Sequence, residues 1–212
     1  RRRDRMLMYK DAVIREIHHR VKNNLQTIAS LLRLQSRRLT SDEAKDALEE
    51  SVRRISTIAL VHETLSSASS DLVDFAEVVR GVMNMLEDGL GLDQRGVRQE
   101  VQGQVGELPA VVATPLALVL TELVQNAAEH AFVGREGGTI TIELERVDAS
   151  ICATVADDGV GMPESFTWEG AGLGLKIVQA LVDHEMKGSL EMERSGGTTV
   201  RVRVPLPGAK GA

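Results

Sequence analysis

Residues 122–130 carry the most informative pattern of the chain, Glu122-Leu123-Val124-Gln125-Asn126-Ala127-Ala128-Glu129-His130. Glu122, Asn126 and His130 are four residues apart, so they share one face of a helix with a drift of about 40° per step. A row of acid, amide and imidazole is suited to a metal and a polyphosphate, because an amide oxygen is a ligand that Mg²⁺ accepts. The alternative is a solvated helix face without a ligand.

A second segment combines acids and glycines at the end of an apolar strand, in Asp157-Asp158-Gly159-Val160-Gly161. The Asp157 carboxylate can accept a hydrogen bond from an exocyclic amine, which would select adenine over guanine. Gly159 and Gly161 allow the backbone to approach a ligand closely. An ordinary Asp-Gly turn is the alternative.

A third segment, Gly170-Ala171-Gly172-Leu173-Gly174-Leu175, precedes a predicted helix. Glycines before a helix N-terminus expose backbone N–H groups to phosphate, and the helix end adds partial positive charge. No Gly-Lys-Ser/Thr follows, which excludes a Walker loop, and no βαβ unit surrounds the segment to support a dinucleotide fingerprint.

Residues 1–69 contain neither Gly nor Pro, which predicts long helices. Two apolar rows with a spacing of seven form a 3.5-residue seam: Ile14, Val21 and Ile28, and Leu25, Leu32 and Leu39. Thr40 and Glu43 resemble a capping box that opens a second helix ending near Leu65, followed by a flexible linker over 66–70. The apolar face of this second helix carries Leu48, Val52, Ile55, Ala59 and His62.

A short loop between long helices makes an antiparallel hairpin, and two hairpins can bury their seams in a four-helix bundle. We therefore expect a homodimer through the N-terminal helices. The alternative is a hairpin that packs on its own second domain.

The second half alternates between helical and strand patterns and predicts an α+β two-layer sandwich, with helices on one face of a sheet. Asp74 and Glu77 can cap the first helix, and Thr114-Pro115 places an N-cap before Pro at the first helical position. The predicted helices cover about 75–88, 115–131 and 173–186, and the predicted strands cover 97–101, 139–144, 151–155, 189–193 and 199–204.

Composition narrows the class of protein. The 212 residues carry a net charge of −6 and only one Trp, one Tyr and three Phe, which argues against a direct nucleic-acid binder. The single Cys152 excludes an internal disulfide framework and a cysteine zinc cluster. The sequence contains no run of 18 apolar residues that would indicate a membrane segment, so we expect a cytoplasmic protein.

The three segments occur in the order that the GHKL ATPases show, the superfamily of histidine kinases, gyrase-type ATPases, Hsp90 and MutL. Residues 122–130 resemble the N box, 157–161 the G1 box, 170–175 the G2 box, and 197–199 with the following valines the last glycine box. The resemblance implies a Bergerat-type fold over about 71–207 with ATP and Mg²⁺ in a pocket under a lid at about 162–172. The sequence departs from the family pattern at Glu129, where many relatives carry Lys. The predicted lid is also short, and no separate Phe-rich box is present in the sequence.

The resemblance also implies roles for single residues. Asn126 would be the Mg²⁺ ligand, Asp157 would recognise adenine, and Gly172, Leu173 and Gly174 would lie near the phosphates. The remaining ATP-binding candidates in these boxes are His130, Gly159, Gly161 and Thr198.

Residues 16–26, Glu-Ile-His-His-Arg-Val-Lys-Asn-Asn-Leu-Gln, resemble the phosphoacceptor box of one histidine-kinase subfamily, in which His is followed by Arg and then Lys-Asn-Asn. The likeness is greatest to soluble actinobacterial sensor kinases, whose N-terminal GAF and PAS sensors would be missing here. The related HWE kinases fit less well, because no Trp-x-Glu motif stands in the G2 region. The predicted division is a dimerisation and phosphotransfer hairpin over 1–69 and an ATP-binding domain over 70–212.

Two adjacent histidines are candidate nucleophiles. His18 lies on the apolar row seven residues before Leu25, whereas His19 lies on the flank of the seam, from which it can reach ATP on a separate domain. The family pattern also points to His19, and it leaves His18 as a core-edge histidine with a satisfied hydrogen bond.

Catalysis also needs a group that orients the His19 ring, because the attacking nitrogen must be unprotonated. Glu16 and Asn23 are each one turn away on the same helix, and Glu122 is a candidate from the ATP domain. Arg20 stands where related kinases carry an acid, and it could attract the γ-phosphate instead.

The sequence therefore predicts a protein histidine kinase of a two-component system, which phosphorylates His19 and passes the phosphoryl group to an aspartate of a response regulator. Similarity to the actinobacterial kinases points to a regulator with an RNA-binding antiterminator output. The alternatives are an ATP-binding phosphotransfer or scaffold module, and an anti-sigma-type kinase, which shares the ATPase fold but has no hairpin.

Overall fold

The N-terminal part is a helical hairpin, as the sequence predicts. The computed structural model describes residues 2–68, 72–163, 165–194 and 196–206. Helix α1 (Arg2–Ser36) and helix α2 (Asp42–Ser67) are joined by a short turn, which makes them antiparallel neighbours. Residues 69 and 70 of the predicted linker lie outside the described residues, as does the predicted domain boundary, whereas Ser66 and Ser67 belong to α2, which ends two residues later than predicted.

The start of α2 differs from the prediction by one residue. Ser41, not Thr40, is the N-cap: its backbone is extended, with φ −84° and ψ 124°, and its hydroxyl accepts a hydrogen bond from the Ala44 backbone N–H at 3.3 Å. Glu43 is therefore the second helical residue, one place too early to close a capping box. Thr40 and Ser41 have the same capping chemistry, so the sequence alone did not distinguish them.

The rest of the chain is a two-layer sandwich, which confirms the predicted fold class. The strands are β1 (Leu72–Asp74), β2 (Val97–Gly103), β3 (Glu107–Pro109), β4 (Gly138–Val147), β5 (Ser150–Asp157), β6 (Ser189–Arg194) and β7 (Thr198–Pro205). The helices are α3 (Phe75–Leu90), α4 (Ala110–His130) and α5 (Leu173–Ala180), and α5 runs on into a π-turn at Leu181–Glu185.

The main sheet has five strands in the order β2-β4-β5-β7-β6. Strand β2 pairs in parallel with β4, and the other neighbours are antiparallel. Ile140, Ile142 and Leu144 are buried on β4 while the residues between them are more exposed, so one face of the sheet carries the core. Strands β1 and β3 form a small separate sheet that the sequence did not predict.

Helix α4 begins earlier than predicted. It starts at Ala110, with Pro109 at the N-cap, and Pro115 lies inside the helix rather than at its first position. The proline removes one hydrogen bond to the Val111 carbonyl, and Val111 is 72% exposed, so water can reach that part of the backbone. By length and composition alone α4 is also apolar enough to cross a membrane, but it is mostly buried as the core helix of the sandwich.

Helix α2 connects the hairpin to the sandwich. Val61 and Leu65 near its end are buried in the same apolar core as α3 and α4. Helix α1 packs on α2 and keeps an exposed apolar side, since Ile17 is 53% and Leu31 55% exposed. Helix α2 therefore packs on the sandwich of the same chain, whereas α1 keeps apolar side chains exposed.

Candidate active site

A cavity of about 390 Å³ lies between α4, α5 and the sheet, within the size range of ligand sites. It is lined largely by apolar side chains, among them Leu123, Val155 and Leu175. It collects most of the residues that the sequence predicts for ATP binding: Asn126, His130, Asp157, Gly161, Gly172 and Thr198. Residues that are distant in the sequence thus meet at one site with a few polar groups on an apolar wall.

Asp157 is held at the end of β5 by two backbone donors. Its Oδ1 accepts hydrogen bonds from the Gly159 N–H at 3.0 Å and from the Thr198 N–H at 3.2 Å. No described residue donates a hydrogen bond to its Oδ2. The carboxylate is thereby fixed in orientation while its second oxygen can accept a hydrogen bond from an amine in the cavity.

Two glycines make this geometry possible. A Cβ on Gly197, whose φ is +142°, would lie 1.9 Å from the Asp157 carbonyl oxygen. A Cβ on Gly159 would lie 2.2 Å from the carbonyl oxygen of Ala131 at the end of α4. Gly159 thus packs the loop against α4 and does not itself line the cavity.

A second cavity of about 140 Å³ adjoins the first and shares Asn126, His130, Gly172 and Leu175 with it. It is also lined by Leu173 and Gly174, the other two residues predicted near the phosphates. Gly172 is the N-cap of α5 and has no side chain to cap the helix. The free N–H groups of the first turn therefore make this end suited to a phosphate.

The described residues are compatible with Mg²⁺ that is held mainly by phosphates and water. They contain no group of three or more His, Cys, Asp or Glu that could hold a metal ion. The amide of Asn126 lines both cavities, where it can supply one neutral oxygen ligand. Such a sparse ligand set is typical of Mg²⁺ bound together with a nucleotide.

Glu122, a predicted catalytic residue, is paired with the hairpin. Its side chain is 4% exposed and accepts two hydrogen bonds from Arg54 of α2, with Nε–Oε1 at 2.6 Å and Nη2–Oε2 at 2.9 Å. The hydrogen bond to Glu122 is the main reason that the pKa of Arg54 is raised. Sequence reasoning missed Arg54, because an arginine in a charged helix gives no signal of a contact with another domain.

The phosphoacceptor candidate His19 lies on α1, and no residue of α1 lines either cavity. His19 is exposed, and its Nδ1 lies 3.3 Å from the Asn23 Nδ2. Glu16 instead accepts a hydrogen bond from Arg20 at 2.7 Å, and this pair lowers the pKa of Glu16. Of Glu16, Arg20 and Asn23, only Asn23 lies within hydrogen-bond distance of the His19 ring.

His18 faces α2 and is half-buried, as expected for a histidine at the edge of the seam. Its Nδ1 lies 3.0 Å from the Nδ1 of His62, so one ring donates and the other accepts. Burial and the neighbouring His18 lower the pKa of His62. His18 is therefore hydrogen-bonded within the hairpin, whereas the His19 ring is exposed to solvent.

The segment predicted as a lid places an aromatic pair at the edge of the main cavity. Phe166 lines the cavity and packs edge-on against Trp168, with ring centroids 5.6 Å apart. The guanidinium of Arg194 lies 6.0 Å from the Phe166 ring centroid. The sequence showed no Phe-rich box, and this single phenylalanine was not among the predicted site residues.

The chain matches known protein families in both halves. Residues 16–89 match the family described as histidine kinase, and residues 111–208 match the family of histidine kinase-, DNA gyrase B- and HSP90-like ATPases.

Among curated proteins, the sensor histidine kinase PdtaS of Mycolicibacterium smegmatis is 50% identical over 210 residues, which cover 97% of this chain and 42% of that protein. Blue-light-activated histidine kinase 2 of Erythrobacter litoralis is 29% identical over 206 residues, which cover 92% of this chain and 58% of that protein. The chain thus spans about half the length of these relatives.

Among solved structures, the histidine kinase domain of a blue-light activated histidine kinase from Erythrobacter litoralis gives a TM-score of 0.69 at 27% identity. The match covers 92% of this chain and 94% of that domain. The similarity therefore extends over the hairpin and the sandwich together.

Proposed function

The chain belongs to the histidine kinase family, and we propose that it transfers the γ-phosphoryl group of ATP to His19 and then to an aspartate of a response regulator. The observation that carries the proposal is the Asp157 carboxylate in its cavity. A carboxylate fixed by two backbone N–H groups, with one oxygen available, is suited to the exocyclic amine of adenine. The cavity continues to the N-terminus of α5, where the triphosphate would lie.

The phosphoryl transfer is a substitution at phosphorus. An unprotonated ring nitrogen of His19 attacks the γ-phosphorus, an N–P bond forms, and the bond between the γ-phosphorus and the bridging oxygen breaks to release ADP. Bound Mg²⁺ would supply charge neutralisation at the phosphates, with Asn126 as its protein ligand. The other ring nitrogen of His19 keeps its proton throughout.

Asn23 is suited to fixing which nitrogen of His19 carries that proton. The amide oxygen and nitrogen of an asparagine are interchangeable by a half-turn of the side chain. With its oxygen toward Nδ1, Asn23 accepts a hydrogen bond from the Nδ1–H of His19. This holds the proton on Nδ1 and leaves Nε2 unprotonated for attack. In the structure the Asn23 Nδ2 lies 3.3 Å from the His19 Nδ1, so the amide is within reach of the ring and takes this role after the half-turn.

The proposal includes a homodimer and a receiver partner. The exposed apolar side of α1 is the surface that a second copy of the hairpin would cover, and it comprises Val13, Ile17, Ile28, Leu31 and Leu34. The receiver domain would take the phosphoryl group from His19 and, by similarity to the actinobacterial kinases, would carry an RNA-binding antiterminator output. Use of ATP fits a cytoplasmic protein.

The test is ATP-dependent labelling of histidine variants. His19→Gln should abolish acid-labile, base-stable phosphorylation and should leave ATP binding intact by calorimetry. His18→Gln should keep at least part of the label, and exposed His184→Gln serves as the matched control. Full labelling of the His19→Gln protein would reject the assignment.

A further inference from the structure

Residues 165–172, the second part of the predicted lid, form no helix or strand. The hydrogen bonds that their backbone N–H groups donate stay within the predicted lid, as the Phe166 N–H does with the Pro163 carbonyl at 3.0 Å. Phe166 and Trp168, by contrast, are half-buried and pack against the apolar core of the sandwich. The position of these residues over the cavity therefore depends on what their two aromatic rings contact.

Phe166 lies at the end of the site that holds Asp157. Both residues line the main cavity together with Thr198, whereas none of the three lines the smaller cavity beside the first turn of α5. Asp157 is the residue proposed to bind the adenine amine, and the smaller cavity is the place proposed for the phosphates. The Phe166 ring therefore belongs to the wall around the base.

Arg194, the last residue of β6, contacts Phe166 from the edge strand of the sheet. Its guanidinium carbon lies 6.0 Å from the centroid of the ring, which is within the range of a cation–π contact. The two acids of β6 do not compete for this charge, because Glu191 and Glu193 both pair with Arg201. Among the described residues Arg194 has no carboxylate partner, so its charge is available to the Phe166 ring.

The β-hairpin that carries Arg194 also holds Asp157. Arg194 is the register partner of Thr198 on β7, and the Thr198 N–H donates to the Asp157 Oδ1 at 3.2 Å. Two paired positions thus reach two walls of the cavity. Thr198 fixes the carboxylate, and Arg194 contacts the Phe166 ring.

We propose that Arg194 is a positioning residue for ATP binding, which holds the Phe166 ring in the wall around the base. Arg194 is exposed and lines neither cavity, so it acts through the ring and does not touch the nucleotide. Without the cation the ring leaves the wall in part of the molecules, and the fraction of protein that is competent to bind falls. The inference rests on the proposed function, because it assumes that the cavity binds ATP. Arg194 lies outside all four kinase boxes.

A double-mutant cycle measures the contact between Arg194 and Phe166. Arg194→Met removes the charge and keeps an aliphatic stem, and titration calorimetry should give a Kd for ATP about 2- to 5-fold higher, the equivalent of an exposed cation–π contact. In a Phe166→Leu background the same substitution should change the Kd by less than about 1.5-fold, because the ring is absent. An equal loss in both backgrounds would mean that Arg194 acts on the phosphates by its charge alone, and it would overturn the proposal.

Arg203→Met is the matched control for the loss of charge. Arg203 is exposed on β7, lines neither cavity and has no ring contact among the described residues. The Kd of this variant for ATP should therefore stay within about 1.5-fold of that of the unaltered protein.

Labelling of His19 separates positioning from chemistry. At saturating ATP the rate for Arg194→Met should stay within about twofold of that of the unaltered protein, because the contact is lost from binding and not from the transfer step. A lower rate at saturating ATP with an unchanged Kd would place Arg194 in the transfer step and contradict the proposal.

Trp168 reports the position of the ring in the absence of nucleotide. It is the only tryptophan of the chain, and its ring packs on Phe166 with centroids 5.6 Å apart. Without ATP, Arg194→Met should raise the Stern–Volmer constant for quenching of Trp168 fluorescence by acrylamide, and Arg203→Met should not. An unchanged constant in Arg194→Met would show that Arg194 does not hold the aromatic pair, and it would reject the proposal.

The fluorescence experiment also separates this inference from the proposed function. If the unaltered protein binds no ATP, the kinase proposal fails, and quenching alone decides whether Arg194 positions the ring. If ATP binds but quenching is the same in Arg194→Met and the unaltered protein, the positioning role fails and the kinase proposal stands.

Discussion

Replacing Asp157 by Asn tests whether this side chain binds adenine, and the structure fixes the orientation that the new amide must take. The Gly159 and Thr198 N–H groups both donate to Oδ1, so the amide of an asparagine must keep its oxygen at that position. Its NH₂ group then takes the place of Oδ2 and faces the adenine amine, donor against donor. The fold should survive because both backbone hydrogen bonds are retained.

The loss should be about 1–3 kcal/mol, which corresponds to a Kd about 5- to 150-fold higher for ATP. The same amide can donate to a carbonyl, so the preference for an adenine over a hypoxanthine base should fall by a similar factor. Titration calorimetry with ATP and with ITP, in the presence of Mg²⁺, measures both effects.

Asp158→Asn is the control for this experiment. Asp158 neighbours Asp157, is exposed, and its Oδ1 accepts a hydrogen bond from the Thr139 N–H at 2.8 Å, but it does not line the cavity. Its nucleotide affinity should stay within about twofold of the unaltered protein, because the control removes no contact to the base. Asp157→Asn binding ATP as tightly as the unaltered protein would refute the adenine role.

Three other predictions concern stability, assembly and the direction of transfer. Because the pKa of His62 is lowered, the unfolded chain binds the proton more tightly, so the free energy of unfolding should fall as pH drops below about 6.5. Urea titrations should show a smaller difference in the free energy of unfolding between pH 8 and pH 5.5 for His62→Gln than for the unaltered protein. An equal difference in the two proteins would contradict this. Leu31→Glu puts a charge on the exposed apolar side of α1 without disturbing the monomer core, so light scattering should show a weaker dimer, whereas an unchanged dimer would exclude this side as the interface. The direction of transfer depends on the hand of the hairpin connection, and with the short turn before α2 we expect transfer within one chain, so a mixture of His19→Gln and Asn126→Ala chains should label weakly; strong labelling of the mixed dimer would mean transfer between chains.

The sequence predicted the elements whose signals are local. A run without Gly or Pro predicted α1 and α2, and the glycine boxes predicted the loops that meet around Asp157. The errors were also local: Thr40 and Ser41 compete for the same cap, and Thr114-Pro115 has the pattern of a helix start although Pro115 lies within α4.

What the sequence did not predict depends on how the two domains pack. Arg54 lies in a helix with many charged residues, and nothing in its spacing indicates that it reaches Glu122. Glu122 was correctly placed on the face of Asn126 and His130, yet its partner was found only in the folded chain. Likewise, Glu16 and Asn23 were equal candidates by spacing, and only the structure shows that Glu16 binds Arg20.

The most direct test of the central claim is to map the phosphorylated residue by mass spectrometry after incubation with ATP and Mg²⁺. Cleavage after Arg15 and Arg20 gives the peptide Glu-Ile-His-His-Arg, so fragment ions that separate His18 from His19 decide between them. Digestion at neutral or basic pH preserves the acid-labile N–P bond. We expect phosphate on His19 in the unaltered protein and none in Asn126→Ala; phosphate on His18, on a residue outside this peptide, or on no residue at all would refute His19 as the phosphoacceptor.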